Sequence, residues 1–377
     1  MGLKIFCLKG RFGIGSRKGR KMNRKWSAVI ILSVAVMLQG CGHIAEGKDS
    51  MTENKLATKK HCFGRYEVEL PDYMYMYSGN YNFDNFYLDM VTAIRSGNPT
   101  LEKDWEKYIK DTIAPDMRKD SIGYGSKIVH QDMKSNPRVI VEYVNTTNGN
   151  SSLARLYMFS SFYLKHFPER NEWLLLNGGS IELPRPLPDD QLRQQVQRKL
   201  DAQMDDINKI IYKPYPHFAP GFCLDNEYHY YPGRLEKNES YSIYWHSKRE
   251  GSKTFLSVEV KTYLKGEEAD MESRVSKGKL LQLFFPSTTV EVGGMKGELY
   301  TSRDKSNPSA REFQWIPSHV ETGNHMKPLI KIAGRFDTRD LPPELRDKVS
   351  GEELAMWVLE SIKMRKGADE DIQMYGH

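Results

Sequence analysis

Apolar and polar positions alternate with a period of two in two successive sets along this chain, and each set opens on a cysteine-containing stretch, "CFGRYEVELP" from Cys62 and "GFCLDNEYHY" around Cys223. Such alternation suits half-buried strands. In the first set the pattern predicts strands over Tyr66 to Leu70, Phe86 to Ala93, Val139 to Val144, Leu153 to Leu164 and Trp173 to Asn177. A helix interrupts them, with Asn98 as cap, Pro99 at its first position, and Leu101, Trp105, Tyr108 and Thr112 at helical spacing until Pro115 stops it. A second helix closes the set, with Asp189 as cap and Leu192, Val196, Leu200, Met204, Ile207 and Ile211 along one face.

The second set predicts strands over Tyr241 to His246, Leu256 to Leu264, Thr288 to Val292, Met295 to Thr301, Glu312 to Ile316 and Leu329 to Phe336. Its closing helix starts from a capping box, Ser350 with Glu353, lines up Leu354, Trp357, Val358 and Ile362, and is expected to end by Gly367. "GEEADMESRVSKGK", Gly266 to Lys279, reads as the most loop-like internal stretch, its carboxylates a solvated face rather than a metal cage. Strands followed by helices, instead of strict alternation, predict an α+β fold of two related lobes, each a largely antiparallel sheet with packed helices. The boundary is expected near Pro214 to Pro220, giving an N-terminal domain over 61–215 and a C-terminal domain over 216–377.

The front of the chain follows another pattern. Trp26 to Leu38 is an uncharged apolar run of 13 residues, short of the about 20 that span a hydrocarbon core. Nine basic residues and no acidic one precede it, from Lys4 to Lys25, which is the charged front of an export signal. The run ends in Leu38-Gln39-Gly40-Cys41, which resembles a bacterial lipoprotein signal. That resemblance implies cleavage before Cys41 and lipidation of its thiol, with residues 1–40 removed as leader and 41–60 left as a tether. Several acyl chains on one cysteine bury enough methylenes for stable anchoring. Gly42 is not the aspartate that such sorting signals resemble when they retain a protein at the inner membrane, so the periplasmic face of the outer membrane is expected. Met22 offers a second start that would leave a compact leader, and Gly13, Gly15 and Gly19 match a phosphate loop only superficially, since no strand precedes them.

Removal of that leader changes the charge. Of 55 basic residues nine lie in it, so 46 face 49 acidic ones, a net of about −3. A folded part without a basic stripe excludes the electrostatic footprint of a nucleic-acid protein.

Hydrolytic chemistry is not spelled out either. There is no Gly-x-Ser-x-Gly elbow and no His-Glu-x-x-His pair. The closest histidines, His319 and His325, are six apart across Gly323, which fits neither a helix nor a strand face. Asp189-Asp190 and Asp205-Asp206 sit on helical segments, where capping or solvated charge accounts for them. No cofactor or metal set is expected. Cys62 and Cys223 are an even pair, either a disulfide in an oxidising compartment or two buried thiols, one at the head of each lobe.

Tyrosine is what the chain concentrates. "YMYMYSGNYNFDNFY" from Tyr73 and "YHYYPGRLEKNESYSIYW" from Tyr228 follow the two openings. On a strand Tyr73, Tyr75 and Tyr77 share one face and Met74 with Met76 the other. Tyr73, Tyr75, Tyr77, Tyr228, Tyr230 and Tyr231 are therefore candidate partner-binding residues, with sheet packing as the alternative. "LLQLFFP", Leu280 to Pro286, is a further choice between buried strand and apolar patch.

Taken together, Cys62-Phe63-Gly64-Arg65-Tyr66 leading to Leu70-Pro71, Gly221-Phe222-Cys223-Leu224-Asp225, and a tail running from Leu341 through Glu353, Trp357, Ser361 and Arg365 resemble the lipoprotein immunity proteins of type VI secretion lipase effectors, the kind paired with the fourth effector family. The resemblance implies a two-lobed, non-enzymatic periplasmic inhibitor whose partner is a phospholipase delivered by neighbouring cells. It carries over no contact residue. A ligand-binding or structural envelope lipoprotein, or a hydrolase with dispersed catalytic residues, are the rival expectations.

Overall fold

The computed structural model describes residues 56–89, 125–147, 155–216, 220–237, 239–282, 287–304 and 306–375. The leader, Cys41 and the expected helix from Asn98 to Pro115 lie outside the described residues, as do Leu283 to Pro286.

In chain order the strands of the first half are β1 (Thr58–Phe63), β2 (Tyr66–Pro71), β3 (Met74–Asn82), β4 (Tyr87–Asp89), β5 (Gly125–Asp132), β6 (Arg138–Thr147), β7 (Arg155–Phe167) and β8 (Glu172–Leu183). Helix α1 (Asp189–Asn208) and three short strands follow, β9 (Ile210–Tyr212), β10 (Phe222–Cys223) and β11 (Tyr228–Tyr230). Next come β12 (Ser240–Ser247), β13 (Phe255–Lys261), helix α2 (Glu268–Gln282), β14 (Ser287–Val292), β15 (Met295–Arg303), β16 (Ala310–Pro317) and β17 (Leu329–Asp337). Helix α3 (Gly351–Ser361), β18 (Lys363–Met364) and helix α4 (Glu370–Tyr375) complete the chain.

Twelve of these strands form one sheet in the order β14-β15-β16-β17-β13-β12-β3-β4-β8-β7-β6-β5. Two three-stranded sheets, β1-β2-β18 and β10-β11-β9, accompany it. The pairings among the described strands are antiparallel. The expectation of largely antiparallel sheet with packed helices holds in this form. The expected division into two related lobes does not show, because β3 of the first half pairs along its length with β12 of the second, Tyr81 opposite Tyr241 and Tyr75 opposite His246.

Alternation decides which face of that sheet is dry. On β12 Tyr241, Ile243 and Trp245 are buried, and on β13 Leu256, Val258 and Val260. Ile330 and Ile332 of β17 and Trp315 of β16 join them, so neighbouring inward positions build one core. Helix α3 packs there against β2, β14, β16 and β17. Its capping box forms as the sequence predicts, the Ser350 hydroxyl accepting from Glu353 N–H and the Glu353 carboxylate from Ser350 N–H. Glycines let the sheet close on this core: a Cβ at Gly297 would lie 2.4 Å from the Trp315 ring, and one at Gly334 2.3 Å from Phe313.

Several expectations need correction. Asp189 does not cap α1. Pro188 holds that position without a side-chain hydrogen bond, and Asp189 lies in the first turn, where its charge faces the positive end of the helix dipole. Ile211 leaves the helical face and sits in β9. The acidic stretch expected as a loop forms α2 from Glu268 onward, anchored by Met271 and Val275 against Tyr263, Val320 and Leu329. Helix α3 stops at Ser361, before Gly367. Strand β1 begins at Thr58, inside the stretch read as tether.

Candidate interaction surface

The cysteine-bearing motifs and the tail, though far apart in sequence, meet at one buried point. Cys62 and Cys223 are joined by a disulfide, with 5.8 Å between their Cα atoms. Beside it Gly64 N–H donates to Cys223 O at 2.7 Å and Cys223 N–H to Gly64 O at 2.8 Å. Gly64 has φ +51°, and a Cβ there would lie 2.1 Å from the Tyr241 ring, so both conformation and space call for glycine.

Arginines from both ends of the chain close this knot. Arg65 Nε donates to Glu239 Oε1 at 2.9 Å and Oε2 at 3.1 Å, Nη1 donates to Ala368 O at 2.5 Å, and the guanidinium lies 4.3 Å from the Phe222 ring centre. Arg365 Nη2 donates to Gly221 O at 2.8 Å and Gly64 O at 3.3 Å. Its Nε and Nη1 have no hydrogen-bond partner among the described residues, and burial pushes its pKa down to about 10. Burial alone would raise the Glu239 carboxyl; Arg65, with His325 Nδ1 at 3.3 Å from Oε2, outweighs this and holds it below its ordinary value. Ser361 of the tail reaches the same layer by accepting from Glu69 N–H at 3.0 Å. The knot is closed to solvent, so its work is to tie chain segments together.

The tyrosine candidates separate by burial. Tyr228 and Tyr230 are core residues, at 1% and 0% exposure, Tyr230 ringed by Phe83, Phe86 and Phe222. Tyr73 is also buried and lies just ahead of β3 under the Arg249 guanidinium, so it does not share the face of Tyr75 and Tyr77. Tyr231 is half-buried. Tyr73, Tyr228 and Tyr230 are thus packed in the structure. Tyr75 and Tyr77 are exposed, at 38% and 56%.

Sequence reasoning missed the residues beside them. The β3–β12 register shifts between Tyr244 and Trp245, where Ser78 and Met76 are the successive partners and Tyr77 is the extra residue. A bulge of this kind re-aims a side chain, and here it leaves Tyr75 and Tyr77 both outward while Gly79 and Tyr81 turn to the core. The rings continue across the sheet: Tyr77 lies 4.9 Å from His246, His246 4.6 Å from Tyr244, and Tyr244 5.3 Å from Phe255. Burial among them lowers the His246 pKa and raises that of Tyr244. The signal was available in "SYSIYWHS", whose second alternate set, Ser242, Tyr244 and His246, is itself aromatic.

Ser247 N–H donates to Thr254 O at 3.2 Å, extending the β12–β13 pairing beyond His246 and Phe255. Lys248 and Lys253 are the next pair outward, both exposed. Other polar candidates are accounted for internally: Asp206, expected as solvated or capping charge, is buried and takes Arg234 Nη1 and Nη2 at 2.7 and 2.6 Å with Asn85 Nδ2 at 2.7 Å. His319 is exposed near Glu321, and His325 is buried against Glu239, so the two histidines do not form a joint site. Among the described residues no group of three or more His, Cys, Asp and Glu could hold a metal ion, and no described helix is long and apolar enough to cross a membrane.

No family model matches the chain, and no curated protein matches it significantly. Solved structures do show a likeness. The apo structure of immunity protein TplEi of the T6SS from Pseudomonas aeruginosa is 16% identical with a TM-score of 0.49, covering 82% of this chain and 97% of that one. The structure of TplEi complexed with "L" peptide is 15% identical with a TM-score of 0.45, covering 82% and 98%. Scores below 0.5 at such identity leave the reading of this chain to its own residues.

Proposed function

We propose that this protein is a lipid-anchored immunity protein of the periplasmic face of the outer membrane, which binds and inhibits a type VI secretion phospholipase or lipase effector. The observation that carries the reading is the convergence of the family-like motifs: the "CFGRY" opening, the "GFCLD" opening and the tail with Ser361 and Arg365 interlock through the disulfide, the Gly64–Cys223 bridge and the Arg365 hydrogen bonds. Motifs that resemble one family only by chance have no reason to pack on one another.

Inhibition of this kind needs no nucleophile. A lipase acting at a membrane must open an apolar active-site mouth, and a protein that covers that mouth or holds its lid shut stops turnover by occupancy alone. A solvent-facing row of tyrosines on a rigid sheet supplies contact area with little side-chain entropy to lose. Lipidation at Cys41 would keep the inhibitor at the membrane under attack and raise its local concentration there.

The reading expects a lipase gene beside this one, and the test is titration of its product with the purified mature protein. Stoichiometric loss of phospholipid hydrolysis is expected. Full lipase activity at saturating protein overturns the reading, and turnover of ester or glycoside substrates by this protein alone would replace it with the hydrolase alternative. Labelled palmitate should enter the wild-type chain and not Cys41→Ser.

A further inference from the structure

The outward end of β3, β12 and β13 combines features that no internal packing uses. Tyr75 and Tyr77 are the large exposed aromatics of the described residues. They continue into His246, Tyr244 and Phe255 without a break in ring contact. Two exposed lysines border the row, and among the described residues neither Lys248 nor Lys253 makes an ion pair. Two arginines elsewhere on the same face are neutralised: Arg335, opposite Phe255 in the register, pairs with Asp304 and Glu312, and Arg274 with Glu259 and Asp270. Glu250 is the one carboxylate in the turn between the two lysines.

We infer that the effector docks on this row, seating an apolar patch over Tyr75, Tyr77 and His246 and setting carboxylates of its own against Lys248 and Lys253. This rests on the immunity reading and assigns its contact surface. The chemistry matches how protein interfaces are built, with amphipathic aromatics at the centre and charge at the rim. Charge complementarity argues for an acidic rim on the partner, because unpaired lysines beside an apolar surface gain from opposite charge and would repel a basic one. The strands are tied into the twelve-stranded sheet on both sides, so the row is in place before binding and little is lost in ordering it.

Binding of the neighbouring lipase to the full mature protein, measured by calorimetry, tests this. Tyr75→Ala with Tyr77→Ala should weaken binding at least tenfold while leaving the unfolding midpoint unchanged, since both rings are exposed. Lys248→Glu with Lys253→Glu should slow association and flatten its dependence on sodium chloride. Tyr77 replaced by a photo-crosslinking phenylalanine analogue should give a covalent adduct with the lipase, and the same replacement at exposed Ile181 should not. Wild-type affinity in both double variants would overturn the docking surface and leave the immunity reading standing. Failure of the wild type to bind the lipase would overturn both. Tyr77-dependent binding to phosphatidylglycerol vesicles, with lipase affinity unaffected, would make the row a membrane contact and overturn the inference.

Discussion

Glu239→Gln is the sharpest probe of the knot. Glu239 is the carboxylate that holds the buried Arg65 guanidinium, at 2.9 Å, while the neighbouring Arg365 donates to backbone carbonyls and has Glu67 as its nearby carboxylate. The amide can keep the shape and one acceptor but removes the negative charge. Breaking a buried pair and leaving its cation uncompensated costs about 3–5 kcal/mol, a large share of the roughly 5–15 kcal/mol that holds a native domain together. The melting temperature should fall by roughly 10 °C, taking about 2–4 °C per kcal/mol for a chain of this order of size. Urea unfolding followed by tryptophan fluorescence reads the loss directly. The double change Arg65→Met with Glu239→Leu should recover most of it, because well-packed apolar replacements of a buried pair are near neutral. A Glu239→Gln loss below about 1 kcal/mol would refute the claim that this carboxylate balances the knot, since that is the scale of one ordinary hydrogen bond.

Other outcomes follow from single features. Removing the disulfide by Cys62→Ala with Cys223→Ala should lower stability by about 5 kcal/mol on the chain-entropy account, given the separation of 161 residues; equilibrium unfolding measures it. Burial, with Lys59 and Lys248 nearby, lowers the His61 pKa to about 4. The unfolded chain therefore binds more protons between about pH 6.5 and 4, and stability should drop by about 3 kcal/mol in total as the pH is lowered through that window, a slope that His61→Gln removes. Glu239 shifts in the same direction, a lowered carboxyl, so its contribution is likewise present at neutral pH and is lost as pH falls below about 4.5 through its folded value. Gly297→Val should destabilise by about 1–3 kcal/mol or prevent folding, as the added carbons meet Trp315; the unfolding midpoint reports it.

Local chemistry was legible wherever the determinant was local. The alternation in "SYSIYWHS" and "FLSVEVK" marked β12 and β13 as strands, the second predicted to run three residues too far, and Ser350 with Glu353 marked the start of α3. What escaped depends on partners distant in sequence. Strand β1 is a strand because Thr58 to Phe63 pairs with β2, although its lysines read as tether. Strands β10 and β18 are two residues each and exist only through their neighbours. The acidic run of α2 looks like a loop until Met271 and Val275 find Tyr263 and Leu329. Tyr73 and Tyr75 have the same parity, yet one is buried and the other exposed, because Tyr73 precedes the strand and packs under Arg249.

The single sheet changes how the two openings should be understood. Each opening supplies a cysteine, and their disulfide lies where β1 and β10 meet, while β3 and β12, the strands that follow them, pair directly along the middle of the twelve-stranded sheet. The second beginning thus continues the first half's sheet. The covalent link and the shared ladder hold the same two chain segments on either side of one core, with Tyr81 and Tyr241 stacked between at 5.7 Å. Tyr81 also donates its hydroxyl to Leu224 O at 2.5 Å, fastening the ladder to the second opening. The bulge that turns Tyr75 and Tyr77 outward sits on this same pair of strands. Its geometry is therefore fixed by strands held through a ladder, a disulfide and a ring stack, which is the preorganisation that the proposed docking on this row calls for.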